Sequence, residues 1–193
     1  MKRVIIVHGW DGYPEEGWFP WLKNELEKKG FEVLVPQLPQ PKIPRIENWV
    51  PKLAETVGTP DENTYLVGHS MGCQTIARYL EALPEGVKIG GAVFVGGFFK
   101  RLTGINGEEE QEVVDHWLKT PLDLQKVKSH LLGSIAIFSD NDYYVPLDNA
   151  DDFRDKLGSE VIIKIGMGHF SGVRDKTFEL PIALESILKL AGQ

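Results

Sequence analysis

At 193 residues, with 42% hydrophobic and 25% charged side chains, the chain can enclose one core unaided and has an ordinary globular composition. A formal net charge of −7 argues against a nucleic-acid groove or an anionic membrane as its working surface, because both need clustered Lys and Arg. Cys73 is the sole cysteine, which excludes an intrachain disulfide.

Short apolar runs alternate with longer amphipathic ones along the whole chain. Strands are expected at 3–7, 31–35, 64–67, 91–95, 134–138 and 161–165, near-continuously apolar and β-branched as strands buried on both faces should be. Helices are expected at about 17–29, 48–57, 70–82, 147–157 and 177–190, with Gly30 and Gly58 placed as C-terminal caps and Pro181 in a first turn. This alternation predicts a single α/β domain over 1–193, a roughly six-stranded parallel sheet with helices on both faces. Residues 36–44 hold four prolines and read as a stiff loop after the second strand. Residues 97–130 form a long excursion between the fourth and fifth strands, containing a charged run at 108–112 that should start a solvated helix. Leaving the sheet at its carboxyl end, that excursion is placed as a small lid or pocket wall. No apolar run is long enough to span a membrane or form a signal-peptide core, so the expected location is cytoplasmic.

The chemistry is concentrated at Gly68-His69-Ser70-Met71-Gly72, between an apolar strand and a helix-forming run. A serine hydroxyl is a weak nucleophile until a base takes its proton, and it must stand clear of the backbone to meet a carbonyl. A tight strand-to-helix turn achieves that, while forcing the residues two before and two after it almost into contact, where glycine fits. The spacing alone is weak evidence in a chain with 20 glycines, so the partners decide. Ligands of open parallel sheets sit beyond the carboxyl ends of the strands, and two other reactive clusters fall there: Ser139-Asp140-Asn141-Asp142 and Gly166-Met167-Gly168-His169-Phe170. His169 is the candidate general base. Asp142 is preferred over Asp140 as the carboxylate that orients it, with Asp140 as a turn-forming residue. The backbone N–H groups of Met71, at a helix start, and Trp10 are the candidate oxyanion donors. Trp18, Tyr143, Phe98 and Phe170 are candidate walls of a small apolar substrate pocket. His8 is expected to brace its loop, His69 to point inward, and His116 and His130 to face solvent. Cys73 should be buried and inert. No His/Asp/Glu/Cys group has metal-ligand spacing, so neither a metal nor another cofactor is expected.

Taken together, His8-Gly9-Trp10-Asp11-Gly12 with Trp18-Phe19-Pro20-Trp21-Leu22, Gly68-His69-Ser70-Met71-Gly72-Cys73, Ser139-Asp140-Asn141-Asp142 with Val145-Pro146, and Gly168-His169-Phe170 resemble the small serine hydrolases related to retinoblastoma-binding protein nine. The Trp117–Lys128 segment is similar as well. The resemblance spans essentially the whole chain. It implies a compact α/β-hydrolase without the usual first two strands or a large cap, and a Ser70–Asp142–His169 triad. The Leu-x-Cys-x-Glu motif behind the family's name is absent here, since Cys73 is followed by Gln74 and Thr75, so that partner is not carried over. The expected partner is a small ester or amide substrate, with no nucleic acid and no membrane. A peptidase or amidase using the same triad, and an interaction module with an unused triad, are the alternatives to a carboxylesterase.

Overall fold

Runs of β-branched and apolar residues settle as strands where helices can cover both faces. The computed structural model describes residues 1–193 and has six such strands: β1 (Arg3–Val7), β2 (Glu32–Leu34), β3 (Thr64–His69), β4 (Gly91–Val95), β5 (Ser134–Ser139) and β6 (Glu160–Lys164). They form one sheet in the order β2-β1-β3-β4-β5-β6, parallel at every pairing. The interior strands β3, β4 and β5 are buried throughout. The edge strands, paired on one side only, are short in β2 and half exposed in β6.

The register explains the two cores. Ile6, Val67, Val93 and Ile135 are successive partners across the sheet and pack beneath α1 (Phe19–Lys28) and α8 (Pro181–Leu190), meeting Phe19, Leu22, Leu26, Ala183 and Ile187. One residue along, Ile5, Leu66 and Ala92 point to the opposite face. There α2 (Ile46–Val57) contributes Trp49 and Leu53, and α3 (Met71–Glu81) contributes Ile76 and Leu80. Strand alternation thus feeds two separate apolar layers. No helix is long and apolar enough to cross a membrane.

The excursion between β4 and β5 carries α4 (Glu108–Lys119) and α5 (Leu124–Ser129). The acidic run does open α4, with three glutamates in its first turn, where they complement the helix dipole. Further along, the excursion is part of the body of the protein. Trp117 is fully buried and donates from Nε1 to the Pro44 carbonyl at 3.0 Å. The buried Arg78 of α3 donates to the carbonyls of Trp117 (2.6 Å), Thr120 (2.9 Å) and Pro121 (3.2 Å), so a cation inside the fold closes the carbonyl end of α4. Two histidines of this region depart from the solvent-facing expectation. His130 is buried, its Nδ1 2.7 Å from the Val87 carbonyl. His116 is half buried, its Nε2 3.0 Å from Glu47 on α2.

After β5, residues 147–157 wind first as α6 (Asn149–Asp151) and then as a π-helix over Asp152–Leu157. A four-residue helix not anticipated from sequence, α7 (Gly172–Asp175), precedes α8. From β1 the chain leaves for β2 on one side and resumes at β3 on the other. The loops after β1 and β3 therefore diverge, and their parting opens a crevice at the carboxyl ends of these strands.

Candidate active site

The turn from β3 into α3 holds Ser70 at φ 52° and ψ −118°, a backbone region that costs a non-glycine residue about 1–3 kcal/mol. Its neighbours show why this conformation persists. A Cβ on Gly68 would lie 2.9 Å from both the Gly72 carbonyl carbon and the Cys73 nitrogen, and one on Gly72 would collide with the Val7 carbonyl of β1. The elbow is wedged between its own arms and the adjacent strand. Gly72→Ala should therefore lower unfolding stability by about 3 kcal/mol or more, read from urea midpoints at constant m-value. A shift under 1 kcal/mol would mean that the elbow can move off β1.

His169 lies in the turn after β6, and the Ser139–Asp142 segment after β5 holds that turn. The backbone N–H of Gly166 donates to Asp140 Oδ1 at 2.8 Å, that of Met167 to Ser139 Oγ at 2.9 Å, and that of Gly168 to Asn141 Oδ1 at 2.8 Å. Asp142 completes the series on the ring itself, where Oδ2 lies 2.8 Å from His169 Nδ1. Its other oxygen accepts the N–H groups of Tyr144 at 2.8 Å and Val145 at 2.9 Å. The pair is withdrawn from water, with 9% of the histidine side chain and 2% of the aspartate side chain exposed. Asp140 is exposed and braces the turn rather than touching the imidazole.

Ser70 and His169 line the same cleft. At rest they share it without a mutual hydrogen bond, while Nδ1 is engaged by Asp142; catalytic contacts of this kind are often long before substrate arrives. Beneath them, His69 is buried and its Nε2 stands 2.8 Å from the His169 carbonyl. A carbonyl only accepts, so Nε2 of His69 carries the proton. Burial, with the His169 charge second, pushes the pKa of His69 down to about 3, leaving it a neutral donor. His8 is similarly fixed: its Nε2 accepts the Leu38 N–H at 3.0 Å, so Nδ1 donates to the Gly9 carbonyl at 2.8 Å. It ties the loop after β1 to the proline-rich loop, and burial lowers its pKa. Trp10 and Met71, the two candidate oxyanion donors, both border the cleft. Met71 is the first residue of α3, so its N–H has no partner within the helix.

A serine hydrolase family model matches residues 4–179. This chain belongs to the serine hydrolase family. It is 33% identical over 185 residues to YdeN of Bacillus subtilis (strain 168), covering 95% of this chain and 93% of that protein. Against the crystal structure of the B. subtilis ydeN gene product it gives a TM-score of 0.90 at 30% identity, with both chains covered completely. The serine hydrolase RBBP9 of Rattus norvegicus is 26% identical over 171 residues, 87% of each chain. The fold is that of a compact α/β-hydrolase, as the resemblance implied, and the protein is an enzyme of the hydrolase class.

The cleft of this serine hydrolase has a volume of about 980 Å³. Tyr143 lines it, joined by Leu102, Ile105 and Tyr144, so the start of the 97–130 excursion forms one wall; Phe98 borders the cleft but is itself fully buried in the core. Two pocket expectations are corrected. Trp18 and Phe170 are each 1% exposed and belong to the core under α1 and α8. Trp18 packs edge-on against Phe19 and His69. Cys73 is fully buried, as expected, and burial drives its thiol pKa upward.

Three cleft-side residues escaped sequence reasoning. Glu16 lines the cleft, and burial raises its pKa against the opposing influence of the His169 charge. The Arg174 guanidinium stacks over the Tyr143 ring at 3.5 Å. Asp175 bonds to the His169 backbone. None belongs to a motif: Glu16 comes from the loop between β1 and α1, and Arg174 and Asp175 reach the site because the loop after β6 folds back. The one available hint was the flexibility that Gly166 and Gly168 give that loop.

Proposed function

We propose that this serine hydrolase cleaves small carboxylic esters through an acyl-enzyme formed on Ser70. The Ser70 hydroxyl attacks the carbonyl carbon while His169 Nε2 takes its proton, and the imidazolium returns that proton to the departing alkoxide. Asp142 holds the imidazole in the tautomer with Nδ1 protonated and stabilises the cation formed during attack. The N–H groups of Met71 and Trp10 receive the oxyanion. Water then repeats the sequence on the acyl carbonyl, releasing the acid and restoring Ser70.

The observation that carries this reading is the buried Asp142–His169 pair at 2.8 Å, set in the same cleft as a serine held on a strained elbow. The aromatic and aliphatic wall of Leu102, Ile105, Tyr143 and Tyr144 suits short-chain or aromatic acyl groups. A fluorophosphonate probe should label the native enzyme and leave Ser70→Ala unlabelled. A panel of p-nitrophenyl esters beside aminoacyl amides should then show higher kcat/KM for the esters. Faster turnover of the amides would make the enzyme an amidase with the same machinery. A folded wild-type chain that ignored the probe would be a binding module.

A further inference from the structure

The backbone around His169 is unusual in its curvature. Gly166, Gly168 and Phe170 have φ of 72°, 55° and 57°, so alternate residues of the turn occupy the left-handed region. For Phe170, which has a Cβ, that conformation is costly. Such a turn persists only where its surroundings over-determine it. The Ser139–Asn141 side chains hold the amides of Gly166, Met167 and Gly168, and the buried Phe170 ring anchors the far end. None of these contacts holds the amide of His169 itself.

Asp175, at the last position of α7, does. Its Oδ2 accepts the N–H of His169 at 2.9 Å, the N–H of Ser171 at 2.9 Å and the hydroxyl of Tyr143 at 3.2 Å. A Cβ on Gly168 would collide with the Asp175 carboxyl group, so glycine at 168 is what lets the carboxylate come in under the turn. Tyr143 immediately follows Asp142 in the chain. Asp175 thereby joins the loop after β5 to the loop after β6 through one oxygen, on the backbone side of the histidine, while Asp142 grips the ring from the other loop.

We propose that Asp175 is a positioning residue for the hydrolytic reaction: through the His169 and Ser171 amides and the Tyr143 hydroxyl it sets where the imidazole stands relative to Ser70. The inference rests on the Ser70–His169–Asp142 reading. Asp175 exchanges no proton with substrate; its effect is geometric. Displacement of a catalytic group by about 1 Å can cost roughly 10²-fold in rate. Loss of the carboxylate frees both amides and the phenol at once.

The test compares wild type with Asp175→Ala, Asp175→Asn and Tyr143→Phe, measuring kcat and KM on a p-nitrophenyl ester alongside thermal unfolding, with Ser70→Ala in parallel. Asp175→Ala should lower kcat about 10²-fold with KM changed by less than about threefold. Asp175→Asn keeps an acceptor oxygen and should recover part of the loss. Tyr143→Phe removes one of the three donors and should show the mildest defect. If Asp175→Ala does not fold, the Asn and Phe variants carry the same comparison. Asp175 variants that unfold earlier yet keep wild-type kcat per folded molecule would overturn the proposal, as would a rise in KM at constant kcat. Residual turnover by Ser70→Ala would instead overturn the triad reading.

Discussion

Ser70→Ala is expected to lower kcat on small esters by about 10⁴- to 10⁶-fold while KM and thermal stability stay near wild type. Alanine keeps the Cβ and the strained dihedrals of the elbow, so the change removes the nucleophile and little else. His169→Ala should fall in the same range, because a serine without its base is hardly better than a serine absent. The double variant should then be no slower than either single one, as residues that act as a unit are not additive. Steady-state kcat values for the three proteins, normalised to the concentration of folded protein, decide the matter. A Ser70→Ala enzyme retaining a tenth of wild-type turnover would remove the serine from the chemistry.

The second large effect separates two neighbouring carboxylates. Asp142→Asn should lower kcat by about 10⁴-fold, since an amide nitrogen facing Nδ1 favours the tautomer whose Nε2 is already protonated and cannot take the serine proton. Asp140→Asn should cost no more than about threefold, because one good acceptor for the Gly166 N–H is all its position demands. Steady-state kinetics on both variants, with circular dichroism to verify folding, gives the ranking. The reverse order would assign the orienting role to Asp140.

Much of the scaffold was legible because its signals are local. Continuous β-branched runs mark the interior strands, and the glycines at 68 and 72 mark a turn that no larger residue can make. The 31–35 strand shortened to Glu32–Leu34 because β1 begins only at Arg3, opposite Glu32, and the proline-rich segment that starts at Pro36 ends the pairing on the other side. The Ser139–Asp142 cluster also announced itself by composition, although its task of holding three successive amides of another loop required the three-dimensional pairing of β5 with β6. Aromatic side chains were harder to place. Trp18 and Tyr143 are both large aromatics, and nothing local tells which ring lies in the core and which lines the cleft. Asp175 was illegible for a different reason: its value depends on left-handed φ angles at residues upstream, which sequence spacing does not report. His130 misled because a histidine in a polar stretch gives no hint that a carbonyl, here Val87, awaits it.

Cys73 sits three residues past Ser70, its sulfur held 3.3 Å from the Gly68 carbonyl and 3.6 Å from that of Val95. The only thiol in the molecule is thus sealed under the turn that presents Ser70, in an environment that disfavours thiolate. Oxidants and alkylating agents meet it only when this part of the molecule breathes. Its chemical modification is therefore a built-in clock for the opening of the Ser70 elbow.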